Sequence, residues 1–279
     1  MPENRPLSAE IDTTVAHEAR VYDYWLGGKD HYEADRALGD AIAEQIPTVA
    51  TMARANRAFV GRAVRYLVKE AGIRQFLDIG TGIPTSGNVH EVAQLEDPSV
   101  RVVYVDNDPI VLAHARALMT STPEGATRFV FADLREPDAI LSEQAVSETL
   151  DLTQPVAVML VAVLMYFREE SEVRRVLSAL VDAVPAGSYL TLTHPTADFD
   201  PEAVAGVVAA AERSGIAFQP RSRTEVANLF AGMDLVEPGI VPVMAWRPDE
   251  PGADAARLHP GIEPDPASAY YWAGMARKR

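Results

Sequence analysis

Three aspartates follow apolar runs at nearly even spacing, and two glycines come directly after the first of them. Asp78 precedes Gly80 and Gly82, Asp106 lies 28 residues after Asp78, and Asp133 lies 27 residues further on. Glycines there allow the positive φ angles and close backbone approach that a strand-to-helix turn needs beneath a ligand. A strand-end carboxylate can accept hydrogen bonds from both ribose hydroxyls, and another can accept one from an adenine amino group. The pattern therefore predicts a nucleoside site.

The charges around this turn favour one kind of nucleoside ligand. A dinucleotide site places a pyrophosphate at the turn and normally has a third glycine, where this chain has Thr85. Asp78 would repel a pyrophosphate, whereas it would attract an ammonium and a sulfonium group. The sequence thus predicts S-adenosylmethionine as the cofactor. An NAD(P)-dependent oxidoreductase on a related fold is the alternative that these features disfavour.

These residues resemble the binding motifs of class I S-adenosylmethionine-dependent methyltransferases. A narrower resemblance, over almost the whole chain, is to the S-adenosyl methyltransferase family that was formerly a domain of unknown function and is common in actinobacteria. The segments that carry it are Ala19–Asp30, Ala55–Phe59 and Asp78–Thr85. Pro84 stands where the wider superfamily often has another glycine, so we expect a different turn into the next helix.

The resemblance implies a role for individual residues. Asp78 and the glycine turn after it would hold the methionine end of the cofactor, Asp106 the ribose, and Asp133 with Leu134 the adenine. The predicted cofactor-binding residues are Asp78, Gly80, Thr81, Gly82, Asp106, Asn107, Asp133, Leu134, Val161, Tyr22, Gly28 and Arg57. The implied product is S-adenosylhomocysteine.

The N-terminal segment has aromatic, acidic and glycine residues where an ordinary helix would have alanine and leucine. Tyr22 and the Gly27-Gly28 pair fit a cap that folds over the cofactor and excludes water. An aromatic anchor that packs the helices onto the sheet explains the same residues. Arg20 and Arg57 could pair with the cofactor carboxylate or with surface acids.

Tyr166 and His194, which follow the fourth and fifth predicted strands, are the predicted catalytic residues. Histidine can accept a proton near neutral pH, although either side chain could instead be a hydrogen-bonded structural residue. The stretch before Tyr166 lacks the Asn/Asp-Pro-Pro-aromatic motif of amino methyltransferases that act on nucleic acids or glutamine, so we expect a small-molecule acceptor or a nonstandard one. A non-catalytic S-adenosylmethionine-binding module is the second alternative. The histidines have no metal-ligand spacing, and no metal is predicted.

Short apolar runs that alternate with helices must position these residues. The predicted strands are Gln75–Ile79, Arg101–Val105, Arg128–Ala132, Val156–Val161, Tyr189–Thr193, a stretch from Met233 into Val243, and Tyr270–Ala276. Because most are apolar throughout, we expect an α/β fold: a Rossmann-like, doubly wound, mostly parallel seven-stranded sheet with helices on both faces.

Two domains are predicted. Residues 1–72 contain three helical segments, divided at Gly27-Gly28 and Pro47, and are expected to form an N-terminal helical cap. Residues 73–279 are expected to form the S-adenosylmethionine-binding domain. Within it, the proline-rich residues 247–268 are expected to leave the core and run over the surface.

Composition excludes several other classes of protein. The 279 residues are 48% apolar and include no cysteine, so a large core is expected and thiolate metal sites are excluded. Forty acidic against 25 basic residues give a net charge of −15, which disfavours binding to nucleic acid or anionic membranes. No apolar run reaches the roughly 20 residues of a membrane span, and no signal-peptide pattern begins the chain. A cytoplasmic protein is expected, with no indication of its oligomeric state.

Overall fold

The computed structural model describes residues 11–118, 120–249 and 269–279. Its helices are α1 (Glu18–Leu26), α2 (Glu33–Gln45), α3 (Val49–Lys69), α4 (Val89–Glu96), α5 (Pro109–Leu118), α6 (Pro137–Ser142), α7 (Gln144–Thr149), α8 (Glu170–Asp182), α9 (Pro201–Arg213) and α10 (Arg223–Asn228), with 3-10 turns at Leu164–Tyr166 and Val243–Ala245. Its strands are β1 (Gln75–Ile79), β2 (Arg101–Asp106), β3 (Ala126–Phe131), β4 (Ala157–Val161), β5 (Tyr189–Pro195), β6 (Asp234–Leu235), β7 (Val241–Pro242) and β8 (Tyr271–Arg277). Most of the proline-rich stretch lies outside the described residues.

All the strands belong to one mostly parallel sheet, as predicted. Its order is β3-β2-β1-β4-β5-β8-β6, and β7 also pairs with β8. The first five strands of that order run parallel, whereas β8 runs antiparallel to β5. The order reverses between β1 and β4, so their carboxyl ends border the crevice where such sheets bind ligands. The predicted Rossmann-like α/β fold is confirmed.

The sixth predicted strand is wrong in detail. Met233 to Val243 does not form one strand but contains two strands of two residues each, β6 and β7, on the same edge of β8. The chain turns away between them through Val236 to Ile240, a segment that contains Pro238 and Gly239. Proline cannot donate to a strand ladder, and Gly239 has a φ of +82°, so this segment cannot continue the pairing.

Neighbouring strand residues alternate between two buried cores. Phe76 and Tyr104 belong to the core that packs against the N-terminal helices, whereas Leu77 and Val103 belong to the core on the opposite face. All four are essentially inaccessible to solvent. This burial on both faces explains why the strands read as continuous apolar runs.

The three predicted N-terminal helices are confirmed, and α3 packs directly on the sheet. Helix α3 contributes Phe59, Ala63 and Leu67, spaced at three to four residues, to the same core as strand residue Phe76. The helix ends close to Gly72, whose φ of +72° turns the chain into β1. Helix α1 lies across the carboxyl ends of the strands, held by α2 and α3. No helix in the described ranges is long and apolar enough to cross a membrane.

Candidate functional site

A cavity opens at the carboxyl ends of β1, β2, β3 and β4, beneath helices α1 and α3. Among the predicted site residues, it is lined by Tyr22, Arg57, Asp78, Gly80, Thr81, Gly82, Asp106, Asn107, Asp133, Leu134, Val161 and Tyr166. The parallel strands all end at this edge, so acids far apart in sequence come together here. The fold therefore brings twelve of the predicted residues to one place.

The glycine turn after β1 is fixed against the end of β2. The backbone N–H of Gly80 donates to the carbonyl of Val105 at 2.8 Å, and that of Gly82 donates to Asp106 Oδ2 at 2.8 Å. Gly80 and Gly82 have φ angles of +74° and +68°, which disfavour any residue with a Cβ. A Cβ at Gly80 would also lie 2.5 Å from Val163. Gly80 thus lets the turn pass close to the segment that follows β4.

The turn does not lead straight into a helix, which is the difference expected from Pro84. Helix α4 begins only at Val89, where the N-cap residue Asn88 and Glu91 of the first turn form a capping box. Arg57 of α3 donates from Nη2 to the hydroxyl of Thr85 at 2.8 Å and so ties this longer loop to the N-terminal helices. Thr85, which replaces the third glycine of a dinucleotide site, therefore has a structural partner.

Asp78 is a buried carboxylate whose negative charge is only partly compensated by its surroundings. Its Oδ2 accepts a hydrogen bond from the Thr81 hydroxyl at 3.0 Å. Burial, with a smaller contribution from the nearby Asp106, raises the pKa of Asp78 to about 6 despite that hydrogen bond and the charge of Arg57. A cationic ligand group beside Asp78 would favour the ionised form. The side chain is thus suited to a ligand that carries an ammonium group.

Asp106 and Asp133 face the same cavity from the next two strands. Asp106 accepts backbone N–H groups of Gly82 and Asp108, one on each oxygen, and burial raises its pKa. Each carboxylate oxygen has a second lone pair, so Asp106 can still accept from ribose hydroxyls. Asp133 lies beside Asn107, whose amide nitrogen is 3.5 Å from Asp133 Oδ2. The buried side chain of Leu134 supplies an apolar surface next to them.

A chain of hydrogen bonds joins α1 and α3 to the ends of β4 and β5. The Tyr22 hydroxyl donates to the Ala53 carbonyl at 3.0 Å and accepts from Asn56 Nδ2 at 3.0 Å. The Thr193 hydroxyl donates to Asn56 Oδ1 at 2.6 Å and accepts from the Ala162 backbone N–H at 3.1 Å. Burial raises the pKa of Tyr22 to about 12, so its hydroxyl stays protonated. Tyr22 and Asn56 therefore hold the helical layer over the cavity.

Two predicted residues do not reach the cavity, and Gly28 is the first. Its backbone N–H donates to the Asp23 carbonyl at 2.9 Å, where the chain leaves α1. A Cβ at Gly28 would overlap the Asp23 carboxylate, 1.9 Å away. The residue is glycine because of this close approach, which is a structural reason rather than contact with a ligand.

His194 is the second, and its surroundings argue against the acid–base role predicted for it. The ring is fully buried, with Nδ1 2.9 Å from the Pro195 carbonyl and Nε2 2.7 Å from Arg221 Nη1. Burial lowers its pKa to about 3, and the neighbouring Arg221 contributes to the shift. A neutral ring that donates to Pro195 and accepts from Arg221 has no nitrogen left for a substrate.

Arg20 also differs from the role considered for it. Its guanidinium is nearly buried and donates to the carbonyls of Asp12 and Val15, and its Nε lies 3.6 Å from Asp35 and 3.7 Å from Asp108. It therefore pairs with Asp35 of α2 and with Asp108 of the loop after β2. Arg57, in contrast, does line the cavity.

Several lining residues were not predicted, among them His17, Glu18, Asn56, Arg135 and Phe167. Asn56 lies within the Ala55–Phe59 segment of the family resemblance, which is the one sequence signal for it. His17 precedes α1, and its Nδ1 lies 2.9 Å from Asp108 Oδ2. Burial alone would lower the pKa of His17, but the hydrogen bond and charge of Asp108 raise it. This pair connects α1 to the loop after β2.

The fold defines the class: a doubly wound, Rossmann-like α/β protein with a cavity at the carboxyl ends of its parallel strands. The family model for S-adenosyl methyltransferases matches residues 4–279, and the chain belongs to this family. It is an S-adenosylmethionine-dependent methyltransferase, and the resemblance found in the sequence is confirmed.

Two crystal structures are similar to the chain over nearly its whole length. A DUF574 family protein from Streptomyces avermitilis MA-4680 is 45% identical, with 96% of this chain and 100% of that chain covered and a TM-score of 0.90. A protein from Thermobifida fusca YX, provisionally described as a methyltransferase, is 41% identical, with 96% and 97% covered and a TM-score of 0.86. No curated protein matches the chain.

Proposed function

We propose that this methyltransferase acts on a small-molecule acceptor and that the cavity at the strand ends holds S-adenosylmethionine. The observation that carries the proposal is the convergence of Asp78, Asp106 and Asp133 on a single cavity, beside the turn that contains Gly80 and Gly82. Acids on three successive strands supply acceptors for the amino and hydroxyl donors of this cofactor. They would repel a pyrophosphate, which argues against a dinucleotide.

The methionine end of the cofactor carries both an ammonium and a carboxylate, and the cavity offers a partner for each. Asp78 would bind the ammonium group, because its raised pKa reflects a buried charge without a full partner. Arg57, which lines the same cavity, would bind the carboxylate. Gly80, Thr81 and Gly82 would lie along this end of the cofactor.

The nucleoside end would lie along β2 and β3. Asp106 would accept from the ribose hydroxyls while its contact with Gly82 keeps the turn in place. Asp133, with Asn107 at its side, would accept from the adenine amino group, and Leu134 would pack against the ring. Val161 would contact the cofactor from the end of β4, where it lines the cavity.

When bound, S-adenosylmethionine supplies a methyl group that is already activated by the positive charge on sulfur. The protein's part is then to align the acceptor and exclude water, which can account for much of the rate enhancement. Tyr22 and Tyr166 line the cavity near the N-terminal helices. Burial keeps the pKa of Tyr166 well above its ordinary value, so its hydroxyl would donate a hydrogen bond rather than accept a proton. We therefore retain Tyr166, and not His194, as the candidate catalytic residue.

We also propose that the three N-terminal helices act as the cap of the site. Helices α1 and α3 contribute Tyr22, Asn56 and Arg57 to the cavity lining, and α3 shares a core with the sheet. A cap of this kind restricts the acceptor to molecules that fit beneath it, and the net charge of −15 disfavours a polyanion. Both points support a small-molecule acceptor.

Calorimetric titration with S-adenosylhomocysteine and with NADH tests the cofactor part of the proposal. We expect S-adenosylhomocysteine to bind at one site per chain and NADH to give no heat of binding. Absence of S-adenosylhomocysteine binding, or tighter binding of NADH, contradicts the proposal. Incubation with methyl-labelled S-adenosylmethionine and a cell extract tests the acceptor. Label in the low-molecular-mass fraction supports a small molecule, whereas label confined to protein or nucleic acid contradicts it.

A further inference from the structure

A second cavity adjoins the proposed cofactor site, and the two share Glu18, Tyr22 and Tyr166. It lies between the N-terminal helices and α9, below the ends of β4 and β5. Its apolar lining comes from four parts of the chain: Val21, Trp25, Leu38, Ile42, Ile46, Val49, Met52, Ala53, Met165, Pro195, Val204, Val207, Ala211, Ile216 and Phe218. The lining is thus almost wholly hydrocarbon, and it meets the cofactor cavity at three polar side chains.

Two tyrosines of this second cavity have hydroxyl groups without a hydrogen-bond partner in the described part of the chain. Tyr166 and Tyr271 both line it, and neither hydroxyl forms a hydrogen bond within the residues that the structure describes. Tyr271 is only 4% exposed, and burial raises its pKa well above the ordinary value. A tyrosine hydroxyl can both donate and accept a hydrogen bond, so these two groups favour a ligand that bonds to them within the cavity.

The charge of the lining limits what that ligand can be. Glu18 is the one charged side chain among the described residues of the second cavity, and no lysine, arginine or histidine faces it there. A carboxylate or phosphate on the ligand would meet Glu18 and hydrocarbon, with no cation to compensate. An uncharged hydroxyl or amino group could donate to Glu18 and bond to the Tyr166 hydroxyl at the junction.

We propose that the second cavity binds the methyl acceptor, and that the acceptor is an apolar small molecule whose nucleophile is an uncharged hydroxyl or amino group. Its apolar body would lie among the side chains of α2, α3 and α9. Its nucleophile would lie at the junction, beside Glu18, Tyr22 and Tyr166. This inference rests on the proposed function, because it takes the first cavity as the cofactor site.

The binding claim is tested with N-phenyl-1-naphthylamine, an uncharged aromatic amine whose fluorescence rises in apolar surroundings. We expect saturable binding to the wild-type protein. Val207→Phe, which adds a ring inside the cavity, should weaken probe binding about tenfold or more while S-adenosylhomocysteine affinity stays within about twofold. Val208→Phe is the matched control, because Val208 lies next to Val207 on α9 but outside the lining. Ile42→Phe, on the facing helix, repeats the test if Val207→Phe does not fold.

The charge claim is tested by competition between two molecules with the same ring system. We expect 2-naphthol to displace the probe and 2-naphthoate to fail, and Glu18→Gln should weaken this discrimination. Equal competition by both molecules overturns the charge claim, and probe binding unaffected by Val207→Phe and Ile42→Phe overturns the binding claim. If S-adenosylhomocysteine binds and the probe does not, only this inference fails. If S-adenosylhomocysteine does not bind the wild type, the proposed function itself fails.

Discussion

The carboxylate of Asp106 accepts the backbone N–H of Gly82 at 2.8 Å and so joins the end of β2 to the glycine turn that follows β1. Its other oxygen accepts the N–H of Asp108 at 3.0 Å. One side chain therefore positions the turn and the start of α5, and it also faces the cavity where a ribose is proposed to bind. The geometry of the loop and the proposed recognition of the ribose therefore depend on the same carboxylate.

Asp106→Asn should weaken S-adenosylhomocysteine binding about tenfold or more. The amide replaces one acceptor oxygen with a donor, so either a backbone N–H or a ribose hydroxyl loses its partner, at roughly 1.5–3 kcal/mol for a charged acceptor. Isothermal calorimetry measures the effect. Asp138→Asn, an exposed change on α6 outside the cavity, is the control. Affinity within about twofold of wild type for Asp106→Asn would contradict the proposed role.

Asp78 should make cofactor affinity depend on pH. Its pKa is about 6 in the folded protein because of burial, whereas the ordinary pKa of an aspartate side chain is 3.8. Below pH 6 the carboxyl is increasingly protonated and cannot pair with an ammonium group, so S-adenosylhomocysteine affinity should rise from about pH 5 to about pH 7 and then level off. Calorimetry across this range measures it, and Asp78→Asn should flatten the profile and weaken binding.

At neutral pH, Asp78 should lower the stability of the ligand-free protein while it strengthens cofactor binding. Because the folded state binds the Asp78 proton more tightly than the unfolded state, the stability that this group contributes is full below about pH 4 and is lost as pH rises through 6. At pH 7 Asp78→Asn should therefore unfold at a higher temperature than the wild type without ligand. A lower unfolding temperature, together with an unchanged pH profile of binding, would contradict both expectations.

The sequence predicted those parts of the fold and of the site that depend on local patterns. β1 was predicted residue for residue, because its apolar run ends at an acid and a glycine turn. The three strand-end acids were brought together because parallel strands end at one edge, a rule that needs no knowledge of packing.

Features that depend on contacts between distant segments could not be read from the sequence. Arg221 lies 27 residues after His194, in a loop, and its contact is what makes that histidine structural. The second cavity is formed by helices that meet only in the folded chain. Glu18 and His17 belong to no recognisable sequence motif. Only the position of α1 in the folded chain brings them to the site.

The N-terminal helices should not be separable from the sheet. Phe59 of α3 is completely buried in the core that contains Phe76, and its ring lies 5.2 Å from that of Trp246. Phe59→Ala should lower the free energy of unfolding by about 3–5 kcal/mol, as for other large-to-small changes in a core. Urea unfolding followed by circular dichroism at one pH measures this. Arg54→Ala, at an exposed position of α3, is the control, and a loss below about 1 kcal/mol for Phe59→Ala would indicate that the helices fold apart from the sheet.

His194 should act on stability and not on cofactor binding. Its contact with Arg221 supports the segment that carries Tyr166, because Arg221 also donates to the carbonyls of Leu164 and Phe167 at 3.1 Å. His194→Gln should lower the free energy of unfolding by about 1–3 kcal/mol, since a buried partner of Arg221 is lost. S-adenosylhomocysteine affinity should stay within about twofold. His114→Gln, on α5 and outside this contact, is the matched control.

The pH dependence of stability distinguishes this structural role from a catalytic one. Burial lowers the pKa of His194 to about 3, so the unfolded chain binds its proton at a higher pH than the folded chain does. The wild type should therefore lose stability from this group as pH falls below about 6.5, by up to about 1.4 kcal/mol per pH unit, whereas His194→Gln should not. Urea unfolding of both proteins at several pH values between 5 and 7 gives the difference. If that difference does not change with pH while cofactor binding is lost, His194 belongs to the site and the structural assignment fails.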